Sequence, residues 1–218
     1  MAVYKMANRS KVPTQDVPSL RETLAVATRA QIVTAAHALF AEHGYVGTSV
    51  GSIAARAGVA VQTIYNTVGN KAAVLSAVLD AAASGPDAPV PVPVFMMDRT
   101  RQATDLDALV GVLADWFAQA NPRTAPIMSI IRQAAAVDED AAHLERRRAA
   151  QRLSNYRLAA AAVRERGGLS TGASDDAAAA TIWAIGHPNA YRQLVVESGW
   201  SDRAYRDWVY GALIASLR

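Results

Sequence analysis

The chain has 218 residues, 51% of them apolar, no cysteine and a formal net charge of +3. That length is ample for a sizeable core. The missing cysteine excludes disulfide frameworks, thiolate nucleophiles and Cys-ligated zinc, and the charge is too slight by itself to demand nucleic acid. Alanine inflates the apolar share and no period-2 strand stands out, so an all-α fold is expected. No apolar run reads as long enough to span a bilayer, and Arg29 interrupts the apolar N-terminal stretch that a secretion signal would need. The expectation is a cytoplasmic protein with no membrane partner.

In chain order, residues 1–27 mix Lys5, Arg9, Lys11 and Arg21 with Pro13 and Pro18 and develop no periodic apolar face. They read as a flexible basic arm, either a plain tail or one that touches DNA backbone or minor groove. Ile32, Ala35, Ala36, Leu39 and Phe40 then repeat at helical spacing, with Thr28 as a candidate cap and Gly44 as the stop. Val50, Ile53, Ala54 and Ala57 form one short apolar stripe and Val61, Ile64 and Val68 another, with Gly58 reversing the chain between them. Gln62, Thr63, Tyr65 and Asn66 remain outward on the second of these helices, hydrogen-bonding side chains on a segment too short for a core of its own. Asn70 looks like the cap of a fourth helix, with Val74, Leu75, Val78 and Leu79 inward to about Ala83. The proline-rich run 85–93 follows as an extended connector.

In the remainder, the spacing predicts helices over Asp105–Ala120, Ala125–Ala136, Asp138–Arg166, Asp175–Glu197 with a kink at Pro188, and Asp202–Leu217. The organisation expected is an arm at 1–27, a helix-turn-helix head at 28–80 and a helical body at 81–218.

The run from Ile32 through Phe40, Gly44, Thr48, Ile53-Ala54, Ala57-Gly58-Val59, Thr63-Ile64-Tyr65 and Lys71 resembles the DNA-binding domain of TetR-type transcriptional repressors. Ile182 to Tyr191, Leu194-Val195, Gly199-Trp200 and Trp208 bear a weaker likeness to the closing helices of one subgroup. On the residues themselves, Thr48 and Ser49 open one helix N-terminus and Asn70 and Lys71 another, each an anion site suited to phosphate. Tyr65 offers a hydroxyl, and Gln62, Thr63 and Asn66 meet base edges. The resemblance implies the same roles at these positions. The pattern departs from the family at Ala60, where a capping serine is common, at Val61, where polar residues are frequent, and at Thr67-Val68, which replaces an aromatic pair. Gln and Asn each pair bidentately with adenine, which favours A·T pairs beneath this helix.

In the body, Met96, Trp116, Phe117, Met128, Tyr156 and Trp183 either fill ordinary core or line a cavity, with Arg132 or His187 as a polar anchor. The resemblance implies a pocket for an unidentified small-molecule inducer. Ile182, Ile185, Tyr191, Leu194 and Val195, with Tyr205, Val209, Leu213 and Leu217, either pack within one chain or form a homodimer through the last two helices. A dimer suits two heads about 34–36 Å apart on a roughly palindromic double-stranded operator. His37, His43, His143 and His187 show no metal-ligand spacing with one another, and Glu139 with His143 reads as a solvated helix face. There is no nucleophile elbow, phosphate loop or dinucleotide fingerprint, so neither catalysis nor a cofactor is expected. The function implied is a sequence-specific DNA-binding regulator, a repressor released by a small molecule. The alternative is a helical ligand-binding dimer with a degenerate head.

Overall fold

The computed structural model of the protein describes residues 19–85, 91–169 and 172–218, and these are helical, with no strand among them. Four helices make the N-terminal part: α1 (Leu20–His43), α2 (Val50–Ala57), α3 (Val61–Thr67) and α4 (Lys71–Ser84). Six more follow: α5 (Val92–Gln102), α6 (Leu106–Ala135), α7 (Glu139–Glu165), α8 (Asp175–Ile185), α9 (Pro188–Tyr191) and α10 (Asp202–Leu217). A π-helical segment, Arg192–Glu197, continues α9.

Helix α1 begins eight residues before the expected Thr28. Ser19 accepts a hydrogen bond from the Glu22 N–H, and the Glu22 carboxylate accepts from the Ser19 N–H. This reciprocal cap satisfies the end of the helix without burying anything. Leu20, Leu24 and Val26 are all exposed, which is why no apolar period marked these turns. Most of the expected arm lies in residues 1–18, outside the described residues. By length and hydropathy α1 is long and apolar enough to cross a bilayer, contrary to the sequence reading. Its apolar face is nevertheless occupied, because Ile32, Ala36, Leu39 and Phe40 pack in a core.

The two helices expected at 105–120 and 125–136 are one continuous helix of 30 residues with Pro122 and Pro126 inside it. Each proline removes one rung of the backbone ladder, at a cost of roughly 3 kcal/mol. Leu109, Phe117, Ile127 and Ile131 are at most 1% exposed, and burying such side chains contributes about 1.5–3 kcal/mol each. The packing therefore carries the helix through. Beyond the proline-rich run, α5 is a helix that the sequence had not marked. The stretch expected as one kinked helix is broken at Gly186-His187, where Pro188 starts α9 and the His187 side chain accepts from the Asn189 N–H.

Two clusters of buried side chains hold the chain together. The upper one joins the first part of α6 to α7, α8 and α10 through Leu109, Leu113, Phe117, Val163, Ile182 and Tyr205. The lower one joins α1 to α4 and continues into Ile127, Met128, Ile131 and Ala134 of α6 and Leu144 of α7. Helix α6 passes from one cluster to the other across its prolines, so the head is built directly onto the lower body.

Candidate nucleic-acid interface and body cavity

Helices α2 and α3 are joined as a helix-turn-helix. Gly58 takes the left-handed conformation at φ 67°, which glycine adopts without steric cost, and its N–H and that of Val59 return to carbonyls of α2. Ser49 and Ser52 cap each other at the start of α2. Thr48 is turned the other way. It is 1% exposed and its hydroxyl donates to the carbonyls of Leu39 and Gly44. Thr48 therefore ties α1 to the turn, and its side chain is not presented to solvent.

The outward face of α3 carries Val61, Gln62, Tyr65 and Asn66, with Thr63 half-buried. The Gln62 amide donates to the Asn66 side-chain oxygen at 3.0 Å, so in the free protein the two side chains are tied to each other by one bond. Ala60 starts α3 with the backbone of a cap residue, φ −71° and ψ 148°, and no side-chain cap bond. Arg29 of α1 donates to the Thr67 carbonyl at the other end. Asn70 caps α4 by accepting from the Ala73 N–H, and donates to Asp140 of the body at 2.7 Å. Lys71 lies 4.0 Å from the centre of the Tyr45 ring. Burial draws its pKa below the usual lysine value, opposed by Asp138. Arg56 is already paired bidentately with Glu42 at 2.7 and 3.0 Å, so its charge is matched within the head. Ser49, Gln62, Tyr65, Asn66 and Lys71 thus lie on the exposed or half-buried side of the head.

Helix α4 is fastened to the body along its length. Arg148 of α7 bonds the Ser76 side chain and carbonyl and pairs with Asp80 at 2.6 Å. Arg123 of α6 donates to the Ala82 and Ala83 carbonyls, at 2.8 and 3.3 Å. It supplies from another helix the partners that the last carbonyls of a helix lack.

A cavity of about 330 Å³ opens between α6, α7 and α8. Of the residues expected around a ligand, it brings together Met128, Arg132, Trp183 and His187. Met96, Trp116, Phe117 and Tyr156 do not line it. Phe117 is 1% exposed and meets Tyr156 edge to face in the upper core, and Trp116 packs against Phe95. Sequence reasoning missed Glu145, Arg146, Ala149 and Arg152. Their spacing of 145, 149 and 152 on one helical face was the available signal, obscured by the alternative of a solvated arginine face. The His187 pKa is lowered to about 4, first by burial and then by Arg152 and Arg132, so the ring is neutral near pH 7.

Most of the residues expected to join two protomers face inward, while Ile185, Leu194 and Val195 are half-buried. Ile182, Tyr205, Val209, Leu213 and Leu217 are at most 1% exposed within the single chain. The body needs them because α8 and α10 pack on α6 and α7 to close the upper core. The large apolar side chains left outward near the C-terminus are Val196, Trp200 and Trp208.

Together these parts define a class of fold, a helix-turn-helix head on an all-helical body. Residues 32–78 match the model of bacterial regulatory proteins of the tetR family, and they form a TetR-type DNA-binding domain. No curated protein matches the sequence. The fold is that of NalD, the secondary repressor of the MexAB-OprM multidrug efflux pump in Pseudomonas aeruginosa. The two share 20% identity over 88% of this chain and 98% of that one, with a TM-score of 0.68. The fatty acid degradation regulator FadR of Bacillus halodurans is similar at 22% identity, over 88% and 96% of the two chains, with a TM-score of 0.66. A third is FadR of Bacillus subtilis in complex with stearoyl-CoA, at 19%, 87% and 99%, with a TM-score of 0.67.

Proposed function

We propose that the protein is a cytoplasmic homodimeric repressor that binds a roughly palindromic double-stranded operator and leaves it when a small molecule enters the body. The observation that carries the DNA reading is α3, a short helix presented by α1 and α2 with Gln62, Tyr65 and Asn66 outward. In this reading 28–80 is the head, 81–218 the body and 1–27 a basic arm. Thr48 holds the turn. Ser49, Tyr65 and Lys71 meet phosphates, Gln62 and Asn66 exchange their mutual bond for base edges, and Thr63 meets a base edge beside them. Two copies meet through the outer faces of α10 and the preceding turn, where Trp200 and Trp208 are exposed. The ligand enters the cavity lined by Met128, Arg132, Trp183 and His187. It acts by preferring a body in which the heads are wrongly spaced, and α4 is the lever, held by Arg148 and Arg123.

The test is fluorescence anisotropy of the purified protein on DNA from upstream of its own gene, with unrelated competitor DNA and varied salt. Competitor-resistant binding that weakens steeply with salt is expected. Equal affinity for unrelated DNA, together with failure to select any site from a random-sequence pool, would refute the DNA reading. A helical ligand-binding dimer would then remain, a reading that the uncapped start of α3 favours.

A further inference from the structure

The cavity between α6, α7 and α8 has a chemical bias that its apolar walls do not explain. Arg152 is half-buried, and its partial loss of water lowers its pKa. The hydrogen-bond partner of its guanidinium is the Met128 sulfur, at 3.2 Å, and it has no carboxylate within 4.0 Å among the described residues. A partly desolvated guanidinium with no carboxylate partner is a favourable place for an anion. The indole N–H of Trp183, which lines the same cavity, is buried with no partner. The His187 Nδ1 accepts from the Asn189 N–H at 3.1 Å, so the neutral ring carries its proton on Nε2, a third donor. Arg132 and Arg146 stand at the exposed rim, against one carboxylate, Glu145. The polar groups are thus mostly donors, three of them arginines against one carboxylate, set against the apolar surfaces of Met128, Ala149 and Trp183. A volume of about 330 Å³ lies at the small end of the roughly 300–1,000 Å³ common for ligand pockets.

We propose that this cavity binds a small amphipathic carboxylate, its anionic head completing Arg152 and its apolar part lying along Met128 and Trp183. The assignment rests on the ligand-released reading only for its biological consequence. The binding itself stands on the unmatched donors.

The test uses the purified full chain and two matched series of probes: decanoate, decanol and decylamine, then 4-phenylbutyrate, 4-phenylbutanol and 4-phenylbutylamine. Binding is read by tryptophan fluorescence and thermal shift. In at least one series the acid is expected to bind about tenfold or more tighter than its alcohol, with the amine weakest. Arg152→Gln should bring acid and alcohol within about twofold of each other, while Arg152→Lys should keep part of the preference. Acids no tighter than alcohols in both series, or a preference that survives Arg152→Gln, would overturn the proposal. The wild-type comparison decides even where a variant does not fold. An acid that binds without releasing DNA refutes the release mechanism and leaves this assignment standing. An alcohol that releases DNA as well as its acid does the reverse.

Discussion

Replacing Ala60 by serine is expected to stabilise the protein and tighten its grip on DNA. Among the described residues, seven helices begin with a residue whose side chain accepts from the backbone N–H three residues on: Ser19, Ser49, Asn70, Asp105, Asp138, Ser174 and Ser201. Helix α3 lacks such a bond, although Ala60 already has the extended backbone of a cap, and the residue is exposed, so a hydroxyl meets no steric conflict. A Ser-for-Ala cap is worth about 0.5–2 kcal/mol. The lower half of that range applies here, because the Thr63 N–H already bonds the Ala60 carbonyl at 2.9 Å. For a chain of this size a gain near 1 kcal/mol raises Tm by about 2–4 °C. If the seven residues of α3 fray in the free protein, the same free energy appears as up to about fivefold tighter operator binding. Thermal unfolding and anisotropy on one operator measure the two effects. An unchanged or lower Tm for Ala60→Ser would refute the view that α3 is limited by its missing cap.

Further substitutions probe the other contacts. Thr48→Val keeps the shape of a 1%-exposed side chain but removes the hydroxyl that donates to the Leu39 and Gly44 carbonyls; a loss of about 1–3 kcal/mol is expected in denaturant unfolding. In Gly186→Ala the new Cβ would lie 2.2 Å from the Phe117 ring, and an overpacking cost of about 1–3 kcal/mol should lower Tm. His187 has its folded pKa lowered from 6.5 to about 4, so the unfolded chain takes up a proton that the folded one resists. The stability this confers is complete above pH 6.5 and is lost as pH falls towards 4. His187→Gln should therefore remove about 1–2 kcal/mol of the acid-induced loss, after allowance for solvent screening of a half-exposed ring, as read from unfolding curves at pH 7 and pH 4.5. Arg148→Ala removes the ties to Ser76 and Asp80. It should raise severalfold the ligand concentration that halves DNA binding, with little change in DNA affinity without ligand.

The sequence made the helix-turn-helix legible because its local signals agree with the packing. Gly58 sits where a left-handed residue is needed, and Ile53 and Ile64 are fully buried where their stripes place them. The missing cap at Ala60 could also be read directly. Local rules misled elsewhere. The first turns of α1 are held by the Ser19–Glu22 pair rather than by an apolar face, and the prolines of α6 are carried by burial at residues far apart in sequence. The inward turn of Thr48 and the inward faces of α8 and α10 depend on which helices meet, and hydropathy alone does not specify that. Half of the residues expected around a ligand reached the cavity, while Arg152 was hidden because an arginine on a long polar helix ordinarily lies in water.

The two prolines of α6 also leave gaps in its backbone ladder beside the joint with α4. Without N–H groups at Pro122 and Pro126 the carbonyls of Ala118 and Pro122 have no rung to hold, and such gaps are where helices hinge. Arg123 lies between them, gripping the end of α4. With 14 residues, α4 is about 20 Å long, so a tilt of roughly 10° at this joint would carry its far end about 4 Å. In the proposed dimer that displacement would be doubled, enough to throw two heads out of step with successive major grooves while both hydrophobic cores stay intact.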